Sequence, residues 1–93
     1  MDRKLTTDTY YRHFKNKWYF VIDIASHSET EEKFVVYKPC YGDKKTYIRP
    51  YGMFVELVEK NKENPTNQKY RFMSLSELNI NIEDFLKEMA NKI

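Results

Sequence analysis

Apolar and polar residues alternate in short β-type runs along the first three quarters of this chain. Tyr10 to Phe14 predicts a short strand, Lys15-Asn16-Lys17 a turn, and Trp18 to Ser26 a longer strand of two-residue period. In that longer strand Trp18, Phe20, Ile22 and Ile24 share one face, and Tyr19, Val21, Asp23 and Ala25 share the other. Both faces are largely apolar, as expected of a central strand bending through a small closed sheet. Lys33 to Pro39 predicts a third strand, and Tyr41-Gly42-Asp43-Lys44 supplies turn chemistry before a fourth at Thr46 to Arg49. Pro50 and Gly52 break the ladder. Met53 to Glu59 fits a strand or one helical turn equally well, and residues 60–68 read as a polar loop before a last strand at Lys69 to Met73.

The period changes at Ser74. Ser74-Leu75-Ser76-Glu77 has the spacing of a capping box, and Asn81 gives a second helix-start signal. Ile82, Phe85, Leu86, Met89 and Ile93 then recur at helical spacing. This stripe is expected to pack on the β-domain, with a partner subunit, and so a homo-oligomer, as the alternative destination. The predicted organisation is a flexible N-terminal arm over residues 1–9, one β-domain over 10–73, and a helical extension of that domain over 74–93.

Composition narrows the function classes. The chain of 93 residues suits one domain with a modest core. Its net charge of +2, from 16 basic and 14 acidic residues, gives no strong footprint for duplex DNA. One cysteine, Cys40, leaves no intrachain disulfide and makes a poor zinc set with the two histidines, so no metal or cofactor is expected. The N-terminal residues lack the apolar core of a signal peptide and no run is long enough to cross a bilayer, so a soluble, cytoplasmic protein without a membrane partner is expected. Abundant Lys, Asn and Ile suit an AT-rich bacterial or phage genome.

Candidate chemistry collects at two places. His27-Ser28-Glu29-Thr30 joins two predicted strands and offers hydroxyls, an imidazole and turn N–H groups to a polar ligand. The same hydroxyls can instead bond their own backbone in a turn. Tyr37 and Tyr41 flank the end of the third strand and can stack a base or a peptide ring, or merely cover the barrel mouth, and Tyr47 is a further π-face. Arg49, with Ile48 placed inward, points outward beside Tyr47 and can grip a phosphate, or pair with Asp43 or Glu56. Arg12 and His13 on the first strand are further donors.

Several motifs occur in a fixed order: Tyr11-Arg12-His13-Phe14-Lys15, the aromatic strand from Trp18, Ala25-Ser26-His27-Ser28-Glu29-Thr30, Val35-Val36-Tyr37, Tyr41-Gly42-Asp43, Arg49-Pro50 and Met53-Phe54. Together they make the chain resemble, over about residues 10–73, a small bacterial and phage family known as domain of unknown function 1653 (DUF1653). The resemblance implies a mainly β fold, a small, strongly bent Src-homology-3-like β-barrel, here followed by a C-terminal α-helix. It implies no mechanism. Tyr47 stands where the family commonly has Trp, Cys40 stands at a usually aliphatic position, and the C-terminal helix lies beyond the shared pattern.

Three function classes follow. The first is a non-catalytic module for a phosphate-bearing small molecule such as a mononucleotide or cyclic nucleotide, for example a phage protein sequestering a host signalling nucleotide. There the tyrosines stack the base and Arg49, His27, Ser28 and Thr30 meet the anion. The second is a peptide or protein interaction module using an aromatic groove. The third is an enzyme with His27 and Glu29 as an acid–base pair, against which stands the lack of an activated nucleophile, a metal set or a phosphate-loop glycine pattern.

Overall fold

The computed structural model describes residues 3–91. Five strands, β1 (Thr9–His13), β2 (Lys17–Ser26), β3 (Lys33–Pro39), β4 (Tyr47–Pro50) and β5 (Phe72–Ser74), form one sheet in the order β4-β3-β2-β1-β5. All neighbouring strands are antiparallel, and β2 is the central one, as its two apolar faces predict. Helix α1 (Tyr51–Val55) follows β4, and α2 (Ile82–Asn91) follows β5. The protein is therefore mainly β with a C-terminal helix.

Local chemistry accounts for the hairpins. The β1–β2 connection closes with the Asn16 amide donating to the His13 carbonyl at 2.8 Å, and Asn16 takes the left-handed conformation (φ 64°) that asparagine tolerates better than most residues. Between β2 and β3, the His27 amide donates to the Glu32 carbonyl at 2.8 Å and Glu31 carries the positive φ.

A bulge in β2 sets which side chains share a face. Val21 pairs with Tyr37 but Asp23 pairs with Val36, so Ile22 is an extra residue in the ladder. Trp18 and Phe20 therefore lie on one face while Ile24, opposite Val35, lies on the other and packs against the core. The uniform face expected for Trp18, Phe20, Ile22 and Ile24 is corrected by this shift of phase, which periodicity alone cannot reveal.

The sheet curls strongly without closing. In a flat sheet β4 and β5 would lie about 19 Å apart at the usual strand spacing. Here the Arg49 guanidinium of β4 sits 5.5 Å from the centre of the Phe72 ring of β5. The ladder nevertheless ends at these two strands, with no pairing between them among the described residues. The space between the edges is filled by α1. Phe54, fully buried, stacks on Phe72 and meets Tyr11 and Tyr37 edge-on. The segment 53–59, compatible with strand or helix, is thus both in turn: one helical turn that buries Phe54, then an extended stretch in which Leu57 bridges Tyr70.

Residues 3–8, expected as part of a free arm, are pinned. Leu5 is 7% exposed and belongs to the core with Tyr11, Val21 and Val35. The Tyr11 hydroxyl accepts from the Thr6 amide at 3.0 Å and donates to the Thr6 carbonyl at 2.9 Å. Arg3 donates to the Val55 and Phe72 carbonyls and to both carboxylate oxygens of Glu77.

The capping box forms as its spacing predicts. The Glu77 amide donates to Ser74 Oγ at 3.2 Å, and the Ser74 amide donates to Glu77 Oε1 at 2.9 Å. It opens a single turn rather than a long helix, since Asn79 turns left-handed (φ 57°) and the Ile80 amide closes back on the Leu75 carbonyl at 2.9 Å. The chain restarts at Asn81, whose side-chain oxygen accepts from the Glu83 amide at 2.8 Å. On α2 Phe85 is buried against Tyr10 and Trp18, whereas Ile82 and Leu86 remain 46% and 48% exposed. Only part of the apolar stripe is covered by the sheet. Ile93, the last residue of that stripe, lies outside the described residues.

Candidate functional site

Register brings a group of tyrosines together on the concave face. Tyr37 lies opposite Val21 on one side and Tyr47 on the other, and Tyr19 lies opposite Pro39. Side chains of directly paired residues point the same way, so Tyr19, Tyr37 and Tyr47 stand in a row across β2, β3 and β4. Tyr41 joins them through the turn that follows. The Cys40 amide still bonds the Trp18 carbonyl at 3.0 Å, and Gly42 then takes a φ of +65°, which glycine adopts without strain. The Tyr41 ring lies beside Tyr19, with the two hydroxyls 2.7 Å apart.

The four tyrosines, with Pro39, Gly42 and Asp43, line a cleft of about 270 Å³. Tyr19 meets Tyr37 and Tyr41 edge-on at 5.5 and 5.7 Å, and Tyr37 meets Tyr47 at 6.3 Å. Burial, followed by the bond to Tyr41, pushes the Tyr19 phenol well up, so it stays protonated and serves as a hydrogen-bonding group rather than a base. The Tyr37 ring is buried, yet its hydroxyl bonds no other group among the described residues and is not sealed off.

Arg49 stands beside this cleft. It shares a face with Tyr47, two residues earlier on β4, and with Val35 across the ladder. It is half-buried, whereas Ile48 is 62% exposed. The arrangement with Ile48 inward is corrected: Arg49 faces the aromatic side because β4 edges a curled sheet whose outer face is open to water. Neither expected carboxylate reaches it, since Asp43 pairs with Lys45 at 3.8 Å and Glu56 pairs with Arg71 at 2.8 Å. Among the described residues Arg49 makes no ion pair and no side-chain hydrogen bond. Its guanidinium lies over Phe72 instead.

His13 completes the surroundings from β1. Its ring lies 4.9 Å from Phe72 and 6.3 Å from Tyr19. Burial first, then the positive charges of Arg71, Arg49 and Lys15, hold its pKa down at about 4, so the ring is neutral at neutral pH. Nδ1 accepts the Lys15 amide at 3.1 Å, which leaves the proton on Nε2.

The structure divides the residues named from the sequence. Tyr37, Tyr41, Tyr47 and Arg49 come together. His27, Ser28, Glu29 and Thr30 lie at the opposite end of the β2–β3 ladder, about 20 Å away by strand rise. Two of its side chains bond within the loop. His27 Nδ1 accepts the Glu29 and Thr30 amides at 3.1 and 3.2 Å, and Thr30 Oγ1 accepts the Glu32 amide at 3.2 Å. Arg12 lies on the other face, with Nε on the Gln68 side-chain oxygen at 2.6 Å and its charge over Trp18. Tyr19 and Phe72 are the additions that the sequence reading missed. The phase of β2 relative to Pro39 is the signal for Tyr19, while Phe72 depends on the curl.

No group of three or more His, Cys, Asp and Glu side chains is gathered for a metal ion among the described residues. No helix there is long and apolar enough to cross a membrane. Neither a curated protein nor a solved structure matches the chain. Residues 9–74, from the first strand to the end of β5, match the family model described as a protein of unknown function, and the chain belongs to the DUF1653 family.

Proposed function

We propose that this protein is a non-catalytic binding module for a phosphate-bearing small molecule, a mononucleotide or cyclic nucleotide, held on the concave face. The observation that carries this reading is Arg49: a half-buried cation beside a tyrosine-lined cleft, with no carboxylate partner among the described residues. Tyr41 and Tyr47 offer exposed ring faces for a base, a contact worth about 1–3 kcal/mol per base. Arg49 supplies the charge-assisted bonds for the phosphate, and the Tyr37 hydroxyl and His13 Nε2 supply further donors. The cleft is slightly smaller than the usual range of about 300–1,000 Å³, which favours one base over two. The curled sheet with its gap plugged by α1 supports reading the fold as an opened Src-homology-3-like barrel, with the site at its mouth.

The test is incubation of the purified protein with mono-, cyclic and dinucleotides, removal of the free fraction, and mass analysis of both fractions after heat release. Depletion of a mononucleotide or cyclic nucleotide that is released intact, weakened by salt and by Arg49→Ala, is the expected result. A new mass would replace binding by catalysis. Absence of any depletion would overturn the nucleotide reading and leave the tyrosine cleft to an extended peptide.

A further inference from the structure

The face opposite the tyrosine cleft carries a second opening, and its chemistry is different. Helix α2 leans on this convex face through Phe85, leaving a groove of about 490 Å³ between Leu86, Met89 and Ala90 on the helix and Tyr10, Phe20 and Pro39 on the sheet. Two ammonium groups border it, Lys38 and Lys44, and no carboxylate lines it. Neither lysine pairs with an acid among the described residues. Both line the same groove as the Cys40 thiol. The groove thus presents an apolar floor with uncompensated positive charge.

The helix that forms its wall has the complementary pattern. At 100° per residue the apolar arc runs from Phe85 through Met89 and Ile82 to Leu86, and its two flanks are occupied by Glu88 and Glu83. Neither glutamate makes an ion pair among the described residues. The exposed half of the arc, Ile82 and Leu86, is the half that the sheet does not reach.

We propose that a second copy of this chain fills the groove, with α2 of each protomer packed antiparallel against α2 of the other. Leu86 and Ile82 of one copy then cover Leu86 and Met89 of its partner, and the flanking glutamates meet the partner's lysine pair. A groove and a helix carried by the same chain, apolar against apolar and acid against base, form the self-complementary patch that a two-fold dimer requires. Such a dimer leaves both tyrosine clefts open on its outer sides, so it stands independently of the proposed ligand.

Sedimentation velocity of the full chain over a range of concentrations tests this directly. A monomer–dimer equilibrium is expected, weakened about tenfold or more by Lys38→Glu with Lys44→Glu, and likewise by Glu83→Lys with Glu88→Lys. Combining all four reversals should restore association toward the original constant, which a merely damaged fold would not do. Thermal melting of each variant checks that the fold persists. Cys40, the sole cysteine, gives a second readout: its reaction with a thiol reagent should slow as protein concentration rises. A single monomeric species up to about millimolar concentration, where an interaction would be worth about 4 kcal/mol, would overturn the proposal. So would a dimer that ignores both charge reversals.

Discussion

The rings of Phe54 and Phe72 lie parallel, 4.1 Å apart at an interplanar angle of 8°, and join the helix after β4 to the strand at the other edge of the sheet. Both side chains are buried, and each also meets Tyr37. This stack does mechanically what a missing β4–β5 ladder does not. It holds the two edges of the curl together and so sets the distance between Arg49 of β4 and Phe72 of β5.

Phe54→Ala and Phe72→Ala should each cost about 3–5 kcal/mol, the usual range for emptying an aromatic core position. Urea unfolding measures this. Phe72→Leu should cost less in stability yet still weaken ligand binding, because the ring under the Arg49 guanidinium is lost. Unchanged affinity in a folded Phe72→Leu protein would separate the site from the stack.

His13 predicts a specific acid sensitivity. Its pKa of about 4 in the folded chain compares with about 6.5 in the unfolded one, so the unfolded chain binds more protons between these values. The corresponding stability is fully present above about pH 6.5 and is lost as the pH falls toward 4. His13→Gln keeps a polar side chain that does not titrate and should flatten the melting temperature across this window. An identical pH profile for the variant would remove His13 as the cause.

Glu77 serves two partners at once, the Ser74 amide and the Arg3 guanidinium. Burial acts to raise its pKa, and the hydrogen bonds from Arg3 and Ser74 outweigh that and lower it. Glu77→Ala removes a reciprocal cap and releases the N-terminal segment, at an expected cost of about 1–2 kcal/mol. Limited proteolysis should then cut near Lys4 sooner than in the parent chain.

His27→Ala should leave ligand affinity unchanged and slightly destabilise the β2–β3 hairpin, by about 0.5–1.5 kcal/mol for lost turn bonds. Amide exchange at Glu29 and Thr30, the two donors to the imidazole, should quicken. Loss of nucleotide binding in this variant would move the site to the loop.

Much of the local architecture was legible in residue pattern. Lys33–Pro39 emerges with the predicted bounds, and Asn81 caps the helix that its position announces. The capping box at Ser74 is also readable, because its two partners are three residues apart. The candidate site was half legible. Tyr37, Tyr41, Tyr47 and Arg49 follow from alternation and from one turn, all within a short stretch of chain. What remained hidden depends on contacts between distant segments. Phe72 reaches Arg49 only because the sheet curls, and Tyr41 reaches Tyr19 beyond the end of β3, where the Cys40 amide still bonds the Trp18 carbonyl. The loop at His27 lies at the far end of the ladder from the tyrosines, and two of its side chains, His27 and Thr30, accept the loop's own amides, as polar turn residues do.

The extra residue in β2 has an effect beyond its own strand. Ile22 gives the two halves of β2 opposite parity, so the N-terminal half sends Tyr19 and Val21 to the concave side while the C-terminal half sends Ile24 there. Deleting Ile22 would leave Val21 opposite Tyr37 and Asp23 opposite Val36 in an unbroken ladder, with every other side chain on the face it already has. The same deletion within a regular strand would trade inside for outside along one half. The strand thus carries one residue of slack, and what that residue supplies is the local bend and added twist of a bulge.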